Sequence, residues 1–108
     1  MTRGDQGPAR HERPVIDEAA LTAARDADRL LEAARTRGAT TWEENFSPVP
    51  GQLRDAGLLE LRKVAQRAKA AYGPRASIRD ALPTELTEPF LADLDRLRKA
   101  LARDLAQR

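Results

Sequence analysis

Two aromatic residues, Trp42 and Phe46, are the residues of this sequence best suited to bind a partner. They make up half of the chain's four aromatic residues, and they interrupt long stretches rich in Ala, Leu and Arg. Residues four positions apart lie on the same side of a helix, and aromatic rings bury a large apolar area. Two hypotheses follow: the rings plug the gap between helices, or they form an exposed site for a partner protein. The sequence leaves both open.

Basic residues supply a second candidate for binding. Seven basic and three acidic residues lie between positions 53 and 80, a local net charge of +4 in a chain whose net charge is +2. Clustered positive charge binds phosphates through counterion release, which makes nucleic-acid binding the alternative function. The residues assigned to it are Arg62, Lys63, Arg67 and Lys69. Helical spacing places Arg62 and Lys69 on one strip and Lys63 and Arg67 on another, which is also typical of a solvated helix.

The richness in arginine has two explanations. Sixteen of the nineteen basic residues are Arg, and Ala is the commonest residue. Guanidinium groups pair bidentately with phosphate and carboxylate groups, which favours an arginine-dependent binding surface. Ala and Arg are also encoded largely by GC-rich codons, so a bacterial genome of high GC content gives the same composition without any binding role. We expect a bacterial protein, and its arginine content alone does not indicate a function.

Residues suited to catalysis are scarce in this sequence. The chain has no cysteine, and its one histidine, His11, lies in a polar segment near the start. It has no glycine-rich phosphate loop and no His and carboxylate residues at the spacing of metal ligands. Acidic pairs such as Asp26 and Asp28 are two residues apart on a helix, so their carboxylates do not face each other as acid and base. We expect a non-enzymatic protein with no cofactor and no metal.

The sequence does not predict secretion or insertion into a membrane. Residues 1–14 lack the apolar core of a signal peptide, and no later run approaches the roughly 20 apolar residues that span a bilayer. We therefore expect a cytoplasmic protein that does not bind membranes. Residues 1–14 also carry two Pro and two Gly without an apolar period, which predicts a disordered N-terminal tail. Residues 15–108 are expected to form a single helical domain.

Apolar residues at helical spacing predict three long helices, near residues 16–37, 52–72 and 88–107. Residues branched at Cβ never alternate over four or more positions, so no strand is expected. The predicted fold class is therefore all-α, a small bundle of three long helices with short helical turns at 41–46 and 77–82. The seam of the first helix is mostly alanine, which predicts a packing face that another backbone approaches closely.

Local signals predict how these helices begin and end. Thr41 and Glu44 have the spacing of a capping box, so Thr41 is expected to begin the first short turn. The proline-containing residues 47–50 are expected to be extended. Gly57 destabilises the interior of the second long helix, so this helix is a candidate to divide into two at Gly57. Thr87 is expected to be the N-cap of the last helix.

The last helix carries the strongest apolar stripe in the chain. Phe90, Leu94, Leu97 and Leu101 follow steps of four, three and four, the spacing of a coiled-coil seam, which Asp104 limits to about two heptads. Leu, Ile, Val and Phe total 21 of the 108 residues, so one chain has a small core and self-association would add apolar burial. The stripe is either the core of one chain or the interface of a homo-oligomer. We expect an oligomer.

These features predict a small helical interaction or regulatory module that acts through protein–protein association. Its partner is expected to be a second copy of itself, an unidentified protein, or both. Trp42 and Phe46 are the candidate partner-binding residues, and nucleic-acid binding by the basic segment is the alternative.

Overall fold

The computed structural model describes residues 10–73 and 77–106, and every regular element within these ranges is a helix. The α-helices are α1 (Pro14–Thr36), α2 (Thr40–Phe46), α3 (Val49–Asp55), α4 (Leu58–Lys69), α5 (Ile78–Ala81) and α6 (Thr84–Ala106). Single 3-10 turns lie at Arg10–Glu12 and Ala70–Tyr72. No helix among the described residues combines the length and the apolar character needed to cross a bilayer. The predicted all-α fold class is confirmed.

The two longest helices, α1 and α6, pack along each other in opposite directions. Arg13, which precedes the first turn of α1, forms an ion pair of 2.6 Å with Asp104 near the end of α6, so the start of α1 lies beside the end of α6. The face of α1 that meets α6 and α3 is mostly alanine. Its fully buried alanines are Ala20, Ala23, Ala24 and Ala27. Small side chains let the neighbouring helices approach closely, so the alanine seam is a packing face, as predicted.

The apolar stripe of α6 forms the centre of the core. Phe90, Leu94 and Leu97 are fully buried and Leu101 is nearly so, in a helix that packs against both α1 and α4. The structure thus shows the stripe to be the core of one chain, the first of its two interpretations. Phe90, Leu94 and Leu97 have no exposed surface in the folded chain, whereas Leu101 is 5% exposed and lines a surface groove with Arg62 and Arg98. Three of the four residues assigned to the oligomer interface are thus covered within one chain, and self-association stays a prediction.

The second predicted helix consists of two helices in the structure. Helix α3 ends at Asp55, and α4 begins at Leu58 after Gly57, whose extended backbone (ψ 174°) makes it the N-cap residue of α4. The break predicted at Gly57 is confirmed. Its consequence is that α3 packs on α1 while α4 packs on α6. One continuous helix would not reach both partners in this way.

Three predicted helix boundaries are wrong. Thr41 does not cap α2, because the helix starts one residue earlier and no side chain caps its first turn. Residues 47–50 are not extended: Pro48 has helical dihedral angles, and α3 begins directly after it. Proline is tolerated at the start of a helix, where its missing N–H has no partner to lose. Helix α6 starts at Thr84, so Thr87 is a buried residue inside the helix and not its cap.

Residues 10–14, which the sequence assigns to a disordered tail, form a 3-10 turn at Arg10–Glu12 and the start of α1 at Pro14. The side chain of Arg10 is only 10% exposed and pairs with Asp17 of α1 at 2.9 Å. The two N–H groups of its Nη1 atom are shared among three main-chain carbonyls at the end of α3. These acceptors are Leu53 at 2.7 Å, Arg54 at 2.8 Å and Ala56 at 3.0 Å. Arg10 thus satisfies carbonyls that a helix end leaves free. Residues 1–9 of the predicted tail lie outside the described residues.

Candidate partner-binding groove

Three aromatic rings form a continuous series from the core to the surface. The Phe46 ring meets the buried Phe90 ring edge-on, with 5.9 Å between centroids and 63° between planes. It meets the Trp42 ring in the same way, at 6.3 Å and 68°. Both geometries are typical of favourable edge-to-face pairs. Phe46 is 4% exposed and Trp42 is half-buried. Of the two predicted residues, Phe46 is therefore the core plug, and Trp42 presents ring surface to solvent.

The turn after α1 fixes the position of α2 and so of both rings. Gly38 adopts φ 70°, a left-handed conformation that glycine reaches without steric cost, and this reverses the chain at the end of α1. Helix α2 then packs back against α1. An ion pair of 3.2 Å between Arg35 of α1 and Glu43 of α2 joins the two helices. Trp42 is therefore held in place from its own helix and from α1.

Trp42 lines a surface groove of about 520 Å³ between α2, α3 and α4. Val49 of α3 and Val64 of α4 contribute to its apolar lining, together with alanines at positions 68, 70 and 71. Alanine side chains are short, so this side of the groove leaves free volume opposite the indole ring. Pockets that bind ligands in proteins typically measure roughly 300–1,000 Å³. The groove is thus large enough to bind a group of apolar side chains.

The polar lining of the groove carries one charge. It consists of the amides of Asn45 and Gln52 and the guanidinium of Arg67. Arg67 is exposed, and it forms no ion pair with any of the described residues. A guanidinium at the side of an apolar groove attracts a carboxylate or a phosphate. The groove therefore combines an apolar surface with one positive group.

The four basic residues of the alternative hypothesis do not form one surface. Arg62 lines a different groove, of about 280 Å³, between α4 and α6, where Arg98 is also found. Lys69 forms an ion pair of 3.0 Å with a carboxylate of α6. Arg67 faces the Trp42 groove, and Lys63 is exposed one turn before it. The division into two strips that the spacing predicts is thus present, and it separates Arg62 from Arg67.

Sequence reasoning missed a pair of carboxyl groups inside the bundle. Asp93 of α6 is 5% exposed, and it lies beside the partly exposed carboxyl group of Asp26 of α1. Burial, together with the interaction with the neighbouring Asp26 carboxyl group and its charge, raises the pKa of Asp93 to about 7. Arg96, at 3.3 Å from Asp93, opposes this shift. Neither aspartate lines the groove beside Trp42, so the pair acts on the stability of the bundle and not on binding there.

The spacing of these two acids contained a signal of their burial. Asp26 lies three residues after Ala23 and four before Leu30, on the seam of the first helix. Asp93 likewise lies three residues after Phe90 and four before Leu97, on the stripe of α6. An acid at a seam position is predicted to be buried with its neighbours. Two such acids on two packed helices are therefore candidates to meet.

Comparisons with known protein families, curated proteins and solved structures found no match for this chain. Within residues 10–73 and 77–106, no three His, Asp or Glu side chains gather where they would hold a metal ion. The groove beside Trp42 is thus the candidate site, and its own geometry and charge indicate what it binds.

Proposed function

We propose that this protein is a non-enzymatic helical interaction module that binds a partner protein in the groove beside Trp42. One observation carries the proposal: the half-buried Trp42 ring rests edge-on against the buried Phe46 and lines a groove of about 520 Å³. Binding hot spots are enriched in tryptophan, because the ring buries a large area in a well-packed pocket. A ring that is already immobilised by its neighbour loses little freedom when a partner binds.

The distribution of charge favours a protein partner over a nucleic acid. Nucleic-acid binding depends on basic groups clustered on one face, which neutralise successive phosphates. Arg62 and Arg67 line separate grooves, and Lys69 is paired within the chain. An apolar groove with an aromatic ring matches the buried centre of a protein interface more closely. Nucleic-acid binding through the basic residues of α4 remains the alternative.

Partner capture with matched variants tests the proposal. The immobilised full chain is incubated with an extract of the cells that encode it, and retained proteins are identified by mass spectrometry. Trp42→Ala removes the ring, whereas Ala70→Gln introduces a larger side chain into the groove from an exposed position and leaves the ring in place. Leu59→Ala is the control, because Leu59 is 62% exposed on α4 and does not line the groove.

We expect a partner that the wild type and Leu59→Ala retain and that both groove variants lose. A tryptophan hot spot contributes about 2 kcal/mol or more, which corresponds to roughly thirtyfold in affinity. Unchanged circular dichroism spectra verify that the groove variants remain folded. A partner that binds Trp42→Ala and Ala70→Gln as tightly as the wild type would contradict the proposal.

A further inference from the structure

Most arginines of the described chain are paired with a carboxylate, and Arg67 is an exception. The paired ones are Arg10, Arg13, Arg29, Arg35, Arg54, Arg79, Arg96 and Arg98. The two acids of α2 do not neutralise Arg67. Glu43 is already paired with Arg35, and Glu44 does not line the groove. The groove therefore carries one positive charge that the described residues do not compensate.

The size of the groove limits what it accommodates. A helix about 10 Å wide that rises 1.5 Å per residue occupies roughly 120 Å³ per residue. The groove volume of about 520 Å³ thus corresponds to roughly four residues, or about one helical turn. A short segment of a partner, with two or three side chains directed inward, fits this volume. The flat face of a folded domain would leave it largely unfilled.

We infer that the groove binds a short apolar peptide segment with an Asp or Glu beside its apolar residues, an inference that rests on the proposed function and adds the chemistry of the partner. The carboxylate pairs with the guanidinium of Arg67, and the apolar side chains pack against Trp42 and the alanines opposite. Asn45 and Gln52 each supply a donor and an acceptor for the peptide main chain. Because the charged and aromatic contacts lie on different elements, α4 and α2, they also fix the direction of the segment.

Peptide selection on the full chain tests this inference while the natural partner is still unidentified. A library of random peptides, about twelve residues each, is selected on the immobilised protein, and the enriched sequences are compared. Each enriched peptide is then synthesised with its acidic residue and with the matching amide, Glu to Gln or Asp to Asn. Binding is followed by the fluorescence of Trp42, which is the chain's one tryptophan and lines the groove.

Two arginines of α4 provide the test variant and its matched control. Arg67→Gln removes the charge at the groove. Arg62→Gln removes the same charge from the same helix, at an exposed residue that lines the other groove. Neither arginine forms an ion pair with the described residues, so neither substitution breaks such a pair in the fold. Both variants have the same net charge. A difference between them in peptide affinity therefore depends on where the charge was removed.

We expect enriched peptides that combine large apolar residues with Asp or Glu. Replacing the acid by its amide should weaken binding to the wild type and to Arg62→Gln by about five- to tenfold. The same replacement should have no effect on binding to Arg67→Gln. An acid preference that is absent, or that survives in Arg67→Gln, would overturn the inference while Trp42-dependent binding upholds the proposed function. Peptides that bind Trp42→Ala equally well, or a library with no enriched peptide, would count against both.

The fluorescence of Trp42 also tests whether the groove binds a nucleic acid instead of a peptide. A DNA or RNA oligonucleotide is titrated into the protein at about physiological salt, and Trp42 emission is recorded. Weak binding that disappears with added salt and depends equally on Arg62 and Arg67 is the expected charge-driven background. Tight binding that is lost in Arg67→Gln but retained in Arg62→Gln would show that Arg67 serves a phosphate and would overturn the peptide assignment.

Discussion

Asp93 of α6 lies beside Asp26 of α1 between the two long helices, and this neighbouring carboxyl group helps to raise the pKa of Asp93. Asp93 is 5% exposed, so its burial and the negative charge of Asp26 both favour its protonated form. Arg29 approaches Asp26 and Arg96 approaches Asp93, each at 3.3 Å, and they offset part of the remaining negative charge. The folded chain thus retains a proton that the unfolded chain releases at a lower pH.

The stability of the fold should decrease as the pH rises toward neutrality. The pKa of Asp93 is raised from 3.8 to about 7 in the folded chain. Between these values the folded state binds one more proton than the unfolded state, so the free energy of unfolding falls with increasing pH. This contribution is present at lower pH and is lost as the pH passes through the folded-state pKa. Urea unfolding at pH 5, 6, 7 and 8 should show a decline on the order of 1 kcal/mol per pH unit below pH 7 that levels off between pH 7 and 8.

Two amide variants separate this effect from other titrations. Asp93→Asn replaces the titrating carboxyl group by a neutral amide, so the decline between pH 5 and 7 should largely disappear. Asp95→Asn is the control. Asp95 lies two residues after Asp93 in the same helix, but its side chain is half-exposed and paired with Lys69. This variant should keep the pH dependence of the wild type. Equal slopes in all three proteins would show that Asp93 is not the group responsible.

Arg10 should stabilise the fold although it precedes the first α-helix. Arg10→Gln removes a guanidinium that donates to three carbonyls at the end of α3 and pairs with Asp17. Hydrogen bonds from a charged donor typically contribute about 1.5–3 kcal/mol, so we expect a loss of about 2 kcal/mol in denaturant unfolding. Arg25→Gln is the comparison, since Arg25 is exposed and makes only a 3.5 Å contact with Thr22. Equal stabilities for the two variants would contradict the role assigned to Arg10.

The two aromatic residues of α2 should differ in their effect on stability. Phe46→Ala removes a ring buried between Trp42 and Phe90, and the expected cost is about 3–5 kcal/mol. Trp42→Ala should cost clearly less, because the Trp42 side chain is only partly buried. Midpoints of chemical unfolding compare the two variants directly. A cost for Trp42→Ala as large as that for Phe46→Ala would place Trp42 in the core and remove it as a binding residue.

Substitutions in α6 distinguish a core stripe from an oligomer seam. Leu97 is fully buried in the single chain, so Leu97→Asp should unfold the protein because it buries an unpaired charge. Leu105 is 38% exposed near the end of the same helix, and Leu105→Asp should leave the fold intact. Circular dichroism and sedimentation measure fold and assembly on the same samples. A folded, monomeric Leu97→Asp derived from an oligomeric wild type would instead restore the seam hypothesis.

The helical periodicity of apolar residues predicted the long helices, because the apolar residues that recur at this spacing are the ones that become buried. The stripe of α6 and the alanine seam of α1 both coincide with buried residues. Signals for helix ends were less informative, because several residues near each boundary are able to cap or begin a helix. Thr87 has a suitable side chain but is buried one turn inside α6, and Pro48 fits the helix start as well as an extended segment.

The candidate site was predicted only in part. The spacing of Trp42 and Phe46 placed the rings on one side of α2, but their different burial depends on Phe90, which lies 44 residues beyond Phe46 in the sequence. The groove requires the break at Gly57, which separates the directions of α3 and α4. The sequence did not distinguish Arg67 from the other basic residues of its segment. Only the packing of three helices places it in the same groove as Trp42.

The alanine seam of α1 makes this protein unequally tolerant of mutation. Ala23, Ala24 and Ala27 have no exposed surface, and any larger side chain at these positions would push a neighbouring helix away. Exchanges among Leu, Ile and Met at the buried leucines of α6 nearly conserve side-chain volume, so they cost less. Over evolutionary time, sequence drift should therefore accumulate in α6 and on the surface while the α1 alanines change slowly. Distant relatives of this chain would be recognisable by small residues at these three positions.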